Sequence, residues 1–453
     1  SALDGTLRGD ELKSPFITAV GHMRQGHALN FKMSTEEDNA SLALTEFEKS
    51  IELSKSLEVS RLLVEAGWGL CRAYGYRGDF QRAQRHAQEA IDIAVEAGDE
   101  WIASLTRLTM GASLMMAARY EAAETWLNRA VLGFEECSDS FGRSAARLWL
   151  AYGYFKQKKF ERVAQLLPDT LAVCQQNGYY FFFTRPSLLG PNDERIFIPL
   201  LLYARQNNWE NGYVDRLLEI LGLAKVQSHP GFRLTVETLG NFQVKRGSDV
   251  IPPNGWRREK SRQLFQLLIS YRQSPLDRDQ ICEHLWPEAD IATAQRNFKI
   301  TLNTLYQVLE PERDSGSDSA FIVRDGTTYT LRINADLKLD SEQFARATRE
   351  GLKTNSITLL EQAMNLYRGE YLPDSLYETW AAEEREQLSA LFLEAADKLC
   401  ELYIQKGKYT EAIELCQRVL AKDNCWERAY RHLMTAYNYL GDRGQLARTY
   451  QRC

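Results

Sequence analysis

The chain has 453 residues, enough for two to four domains at roughly 100–200 residues each. Apolar residues make up 44% and charged residues 26%, which excludes a disordered or collagen-like chain. Net charge is −6, but it is unevenly spread: residues 1–231 carry 25 basic against 29 acidic side chains, 232–335 carry 14 against 13, and 336–453 carry 16 against 19. Only the middle segment is not acidic, so a polyanion is expected there. The longest apolar runs, 179–183 and 196–204, are far shorter than the roughly 20 residues a bilayer needs, and no signal-peptide pattern opens the chain. No membrane partner is expected. Eight cysteines (71, 137, 174, 282, 400, 416, 425 and 453) form no CxxC pair, which suits the reduced thiols of a cytoplasmic protein better than a disulfide framework or zinc site.

The N-terminal half repeats at a constant spacing. Ala43, Ala83, Ala123 and Val163 align, as do Phe47, Ala87, Leu127 and Leu167, and Ile51, Ile91, Val131 and Leu171. A second helix follows the same step through Trp68, Leu108 and Leu148, and through Leu70, Met110 and Leu150. Apolar residues at i, i+4 and i+8 make an amphipathic stripe, and Gly78-Asp79-Phe80, Arg119-Tyr120 and Lys159-Phe160 sit where tight turns would join helices. A lone helix pair cannot bury such a face, so the units must stack into a solenoid. Residues 179–196 break the register with Pro186, Gly190 and Pro191, after which 197–221 reads as helix again. The aromatic run 179–183 suits buried core better than a ligand pocket. Residues 336–453 repeat at a shorter step: Gly407 and Gly441, Leu402 and Ala436, Ala396 and Tyr430, Ala412 and Leu446. That is the tetratricopeptide period.

The middle segment has no repeat. Residues 232–244 alternate apolar and polar around Gly240-Asn241, as a short hairpin does. Helices are expected at 260–271, at 278–285 behind the cap Asp277, and at 292–309, where Ala294, Phe298, Leu302, Leu305 and Leu309 form the core stripe. Residues 321–324 and 327–331 flank Asp325-Gly326, a two-residue hairpin signal. Strands, three helices and a hairpin describe a winged helix-turn-helix. The expected fold is therefore mainly α. Residues 1–225 would form a solenoid of tetratricopeptide type, 226–231 a linker, 232–335 the α+β winged helix and 336–453 a second helical-repeat domain.

Opposite its core stripe the third helix presents Gln295, Arg296, Lys299, Asn303 and Tyr306. Arg296, Lys299 and Asn303 share one face, and such a face suits a major groove, where Arg or Lys donates to guanine and Asn pairs with adenine. The spacing alone equally suits an ordinary solvated helix face. Arg257, Arg258, Lys260 and Arg262 could clasp backbone phosphates or be a charged helix start, and Arg324 at the wing tip could reach a groove or a phosphate. No GxxxxGK[ST] loop is present. The six histidines (22, 27, 86, 229, 284 and 432) form no HExxH pattern, and no Ser or Cys has a nucleophile context, so no enzyme, cofactor or metal site is expected.

Residues 232–333 resemble the OmpR/PhoB-type winged helix of the bacterial antibiotic regulatory proteins (SARPs). The likeness rests on Leu234-Thr235-Val236-Glu237-Thr238-Leu239-Gly240, Leu285-Trp286-Pro287 and Asn297-Phe298-Lys299-Ile300-Thr301-Leu302-Asn303-Thr304-Leu305. A more specific likeness, to the bacterial transcriptional activator domain, rests on Leu366-Tyr367-Arg368-Gly369-Glu370-Tyr371-Leu372-Pro373-Asp374, Trp380, Glu384-Arg385, Arg428-Ala429-Tyr430-Arg431-His432-Leu433-Met434, Gly441-Asp442-Arg443 and Tyr450. The N-terminal half is similar to the helical sensor repeats of MalT-like regulators. These resemblances imply a transcriptional activator that binds double-stranded promoter DNA at direct repeats as a side-by-side dimer. It would recruit RNA polymerase through its sigma subunit and respond to an effector or partner protein at the N-terminal repeats.

Carried over by position, Gln295, Arg296, Lys299 and Asn303 become base contacts, and Arg257, Arg258, Lys260, Arg262, Tyr306 and Arg324 backbone contacts. The third helix departs from the family pattern at its end, Tyr306-Gln307-Val308-Leu309-Glu310, which lacks arginines and is followed by acidic Glu312. Acidic residues there would weaken phosphate neutralisation. Family members usually continue past the point where this chain stops, so it reads as a piece of a longer protein. A cytoplasmic location, at the nucleoid when DNA is bound, follows. The other readings are a scaffold whose winged helix docks protein, and an enzyme with an unrecognised site. The activator module is expected to brace the winged helix, because residues 336–344 leave little slack between them.

Overall fold

A computed structural model describes residues 2–32, 39–191, 193–224, 226–314, 316–332 and 336–453. The chain forms two compact units, Ser1–Gly231 and Phe232–Cys453. The expected module ends at Lys225 and Ala335 lie outside the described residues.

The first unit is helical. It comprises α1 (Ala2–Glu11), α2 (Pro15–Phe31), α3 (Asn39–Ser56), α4 (Ser60–Tyr76), α5 (Phe80–Glu96), α6 (Glu100–Met116), α7 (Tyr120–Glu136), α8 (Ser140–Lys156) and α9 (Phe160–Gln176). After these come the one-turn α10 (Phe181–Thr184), a 3-10 turn at Glu194–Phe197, α11 (Ile198–Gln206) and α12 (Asn211–Ile220). From α4 to α9 every helix has the same length and every connection has three members, which produces the constant step seen in the sequence. Every connection turns on one left-handed residue: Glu58, Gly78, Gly98, Ala118, Ser138, Lys158 and Gly178, at φ between +55 and +83°. The next amide closes the finished helix, as Asp79 N does on the Tyr74 carbonyl at 3.0 Å and Asp139 N on that of Phe134 at 2.8 Å. Asp79, Asp99 and Asp139 then cap the following helix through their carboxylates. Stopping one helix and starting the next thus takes two adjacent residues.

The aligned positions pack as the periodicity requires. Ala43, Ala83, Ala123 and Val163, like Phe47, Ala87, Leu127 and Leu167, are fully buried. Helices α4, α6 and α8 are enclosed on most sides, whereas α5, α7 and α9 keep a solvent face. Beyond α9 the regular step ends, and Phe182 and Phe183 of the aromatic run are buried, with Phe182 stacked on Phe141. The segment expected as continuous helix at 197–221 divides into α11 and α12. Side chains of α4 and α8 fix the loop before it: Trp149 Nε1 donates to the Leu189 carbonyl at 2.9 Å and the Tyr76 hydroxyl to that of Gly190 at 2.7 Å.

The second unit opens with β1 (Leu234–Glu237), β2 (Gln243–Arg246) and β3 (Asp249–Val250). It continues through α13 (Glu259–Ser270), β4 (Leu276–Asp277), α14 (Arg278–Leu285), α15 (Ile291–Leu309), β5 (Ile322–Asp325) and β6 (Thr328–Leu331). This is a winged helix-turn-helix. The wing departs from expectation in two ways, and β3 is a further strand that the sequence did not mark. The two-residue strand β4 pairs with β6, so the wing is a three-stranded sheet in the order β4-β6-β5. The wing turn is also shifted by one residue: Asp325 pairs with Thr328, so Gly326-Thr327 are the central residues, and Gly326 takes the φ of +59° that a II′ turn demands first.

The helical repeats that follow belong to the same body. They are α16 (Asp340–Thr354), α17 (Ile357–Leu366), α18 (Ala382–Gln405), α19 (Tyr409–Lys422), α20 (Glu427–Leu440) and α21 (Arg443–Arg452). Gly407 and Gly441, equivalent positions of successive repeats, end α18 and α20 at the same φ of +73°. Before α16, β7 (Leu337–Leu339) joins the first sheet parallel to β1, in the order β3-β2-β1-β7. One hydrophobic core runs from Leu234 of β1 to Leu433 of α20. The modules at 232–335 and 336–453 therefore pack as one compact unit.

Candidate nucleic-acid interface

Helix α15 is held from behind. Phe298, Leu302, Leu305 and Leu309 are buried as the core stripe predicts, and Thr301 and Val308 join them. Phe298 meets the wing through an edge-on contact with Tyr329, at 5.0 Å between ring centres. The Asp290 carboxylate caps the helix by accepting from Thr293 N at 3.0 Å, and this bonding holds its pKa below the usual range. Asp277 caps α14 and accepts from the wing Thr327 hydroxyl at 2.6 Å, the leading cause of its lowered pKa. These contacts make α13, α14, α15 and the wing one framework.

The outward side of that framework carries the polar residues. Arg296, Lys299 and Asn303 are exposed on α15 and make no hydrogen bond or ion pair with any described residue. The 19-residue helix contains these two cations and no carboxylate. Gln295 is placed differently: half-buried, it donates through Nε2 to Asp279 of α14 at 3.0 Å. It therefore joins the two helices rather than pointing away with Arg296. Tyr306 is also half-buried, with the Arg313 guanidinium 4.4 Å from its ring centre, and burial pushes its pKa up to about 12.

The backbone candidates separate into two groups. Arg258 is exposed and Lys260 partly so at the start of α13, and neither pairs with a described residue. Arg324 is exposed on the wing and folds back, donating to the Gly326 carbonyl at 3.1 Å. Arg257, in the left-handed region at φ +59°, donates to Gln307 Oε1 at 2.7 Å and so closes the C-terminal end of the α15 face. Arg262 turns the other way. It pairs with Asp374 of the following helical module and with Glu259 at 3.3 Å, and lies over the Phe242 ring. The structure thus gives Arg262 an internal role in joining two modules that are distant in sequence.

Of the two acidic residues after α15, Glu312 is exposed and Glu310 is turned inward. Glu310 is buried, and its Oε1 accepts from Ala320 N at 2.6 Å beneath the chain leading to the wing. Residues that sequence reasoning passed over on the outer face are Ile300, Ile291 and Gln307. Ile300 and Gln307 follow Arg296 at i+4 and i+11, so the helical period alone was sufficient to find them.

The contact between the winged helix and the repeats is built from the motifs that carried the family resemblance. Gly240 N donates to the Glu370 carbonyl and Leu372 N to that of Thr238, both at 2.8 Å. Asp340 at the start of α16 accepts from Thr238 N at 2.8 Å, from the Thr238 hydroxyl at 2.6 Å and from Leu239 N at 2.9 Å. Burial nonetheless pushes its pKa up. The Tyr371 hydroxyl, wholly buried, sits 2.9 Å from Ser270 Oγ of α13.

Residues 337–453 match the family description of the bacterial transcriptional activator domain. No curated protein matches the chain. Among solved structures, EmbR of Mycobacterium tuberculosis in complex with a low-affinity phosphopeptide aligns at 20% identity and a TM-score of 0.43, over 49% of this chain and 59% of that one. The chain thus spans less than two thirds of that protein. The TPR domain of P58(IPK) aligns at 12% identity and a TM-score of 0.17 over 95% of this chain and 92% of that one. A circular tandem repeat protein with a novel repeat topology aligns at 12% identity and a TM-score of 0.20 over 100% and 96%.

Proposed function

We propose that this chain, whose residues 337–453 carry a bacterial transcriptional activator domain, is a sequence-specific DNA-binding transcriptional activator of the SARP type. Helix α15 enters the major groove of promoter DNA, with Arg296, Lys299 and Asn303 towards base edges. Arg258, Lys260, Arg257 and Arg324 lie towards phosphates, which set register without reading sequence. Two chains sit side by side on a direct repeat, and the activator domain engages RNA polymerase, including its sigma subunit. The N-terminal unit modulates this in response to an effector or a partner protein.

The observation that carries the reading is the outer face of α15. Two cations and an amide stand exposed and unpaired on a helix without a carboxylate, braced by α13, α14 and the wing. A protein-docking helix would be expected to present a cluster of apolar anchors at its centre, whereas Ile300 stands there among Arg296, Lys299 and Asn303. The test is selection of bound duplexes from a random pool, followed across salt. Enrichment of a directly repeated motif, with affinity falling steeply as salt rises, is the expected result. Sequence-blind or absent binding would overturn it. Deleting residues 1–231 should preserve or raise DNA affinity if the N-terminal unit is inhibitory, and a large loss would reverse that sign.

A further inference from the structure

We propose that Ile300 recognises the methyl group of a thymine, at a T·A pair beside the adenine met by Asn303. This rests on DNA binding by α15. The outer face of α15 exposes large apolar side chains at two places, Ile291 (77% exposed) and Ile300 (38% exposed). Ile291 is the first residue of the helix, beside the Asp290 cap, and is peripheral. Ile300 is central. At about 100° per residue it lies about 40° round the helix from Arg296 and within about 60° of Asn303, far from the buried Leu305.

An isoleucine held in water on a rigid face leaves apolar surface unburied, and its β-branched side chain has few rotamers with which to withdraw. The neighbouring groups narrow down what can cover it. Arg296 precedes it by one turn, and Asn303 and Thr304 follow at i+3 and i+4. All four project into one volume, so they meet adjacent base pairs. In the major groove the one apolar group that projects from a base pair is the C5 methyl of thymine, where cytosine offers only a C5–H. Guanine and adenine offer the acceptors and donors that suit Arg296 and Asn303, and no group there other than the methyl suits Ile300. Thr304 is less exposed than Ile300, and its hydroxyl donates to the Ile300 carbonyl at 2.9 Å. The inferred site therefore places a T·A pair against the centre of α15, with guanine towards Arg296.

The test uses the full chain and the duplex obtained by selection. Each thymine of the half-site is replaced in turn by deoxyuridine, which removes the methyl and keeps every hydrogen-bonding group. Wild-type protein should lose about fourfold in affinity at one position, the value of one buried methyl. I300A should bind the unmodified duplex more weakly and be indifferent to deoxyuridine at that same position, while I300V keeps part of the discrimination. If the selected duplex binds but every deoxyuridine effect persists unchanged in I300A, Ile300 does not read a methyl and the proposal fails, with DNA recognition by α15 left standing. If no duplex is selected, DNA recognition itself falls and the proposal falls with it.

Discussion

A methyl group on Gly369 would stand 2.7 Å from the Cα of Gly240. The two glycines belong to segments far apart in sequence, one between β1 and β2 and the other after α17, and their backbones touch. Gly240 also needs a φ of +84°, which side chains rarely adopt. Backbone rather than side chain thus lies at the centre of the contact between winged helix and helical repeats. Gly369→Ala should cost about 1–3 kcal/mol, as overpacking in a well-filled interior does. Gly212→Ala, where nothing lies within 4 Å, serves as the control. Urea unfolding of the full chain measures both, and an unchanged midpoint for Gly369→Ala would show that the two segments part in solution.

Arg272 makes the second tie. Its buried guanidinium donates from Nε to Glu342 at 2.7 Å, from Nη2 to Glu384 at 2.9 Å and from Nη1 to the Ile269 carbonyl at 3.0 Å. Burial lowers its pKa, but the two carboxylates outweigh burial and the net displacement is upward. Arg272→Met should destabilise by about 3–5 kcal/mol, because it strands two partly buried carboxylates. Adding Glu342→Gln and Glu384→Gln to that variant should recover part of the loss. Failure to recover any would mean that packing, not charge, sets the effect.

On the proposed DNA face, Arg296 and Lys299 are expected to separate by salt dependence. Lys299→Ala should weaken binding evenly across sequences and reduce the salt slope by about 1 if the ammonium neutralises a phosphate. Arg296→Ala should cost about 1–3 kcal/mol on the selected site and relax preference at one base. Identical behaviour of the two variants would assign both to phosphates. Arg262→Ala, by contrast, should show its main effect in stability, since that side chain is committed to Asp374.

His27 provides a pH signature in the N-terminal unit. Its ring lies between Phe47 and Trp68, at 4.9 and 4.6 Å between centres, and burial lowers its pKa to about 4. The unfolded chain protonates this imidazole near 6.5 and the folded chain resists. Its contribution is therefore fully present above pH 6.5 and is lost as pH falls towards 4, amounting to roughly 3 kcal/mol at most. The difference in stability between wild type and His27→Phe, measured from pH 7 to 4, should follow that slope. A difference independent of pH would place the ionisation elsewhere.

The regular turns offer a gain. Ala118 takes a φ of +57° where Gly78 and Gly98 take the same role. Relieving a left-handed alanine is worth about 1–2 kcal/mol, less the extra chain entropy of glycine. Ala118→Gly should therefore raise stability by roughly 0.5–1 kcal/mol in thermal unfolding, whereas Ala117→Gly, one residue earlier, should not.

What the residues reveal on inspection is what short-range physics determines. The N-terminal repeat gives the helix pairs because each stripe and turn is written within one pair, and Asp277 announces α14 because a cap bonds two residues on. Strand β4 is two residues long and exists only through its pairing with β6, so no periodicity marks it. Strand β7 is equally silent, since a parallel strand needs a partner, and that partner, β1, lies at the other end of the winged helix. For the candidate site the same division holds. The exposure of Arg296, Lys299 and Asn303 follows from the period of α15. The withdrawal of Arg262 to Asp374, of Gln295 to Asp279 and of Glu310 into the interior depends on neighbours that helix spacing does not supply.

Strand β7 has one more consequence. Because it is hydrogen-bonded into the sheet that begins the winged helix, strand register fixes the direction of α16–α21 relative to α15. If α15 binds promoter DNA as proposed, activation should depend on rotational phase along the duplex. Inserting about 5 base pairs between operator and promoter would carry the helical repeats to the far side of the double helix and silence transcription, while about 10 would bring them round again.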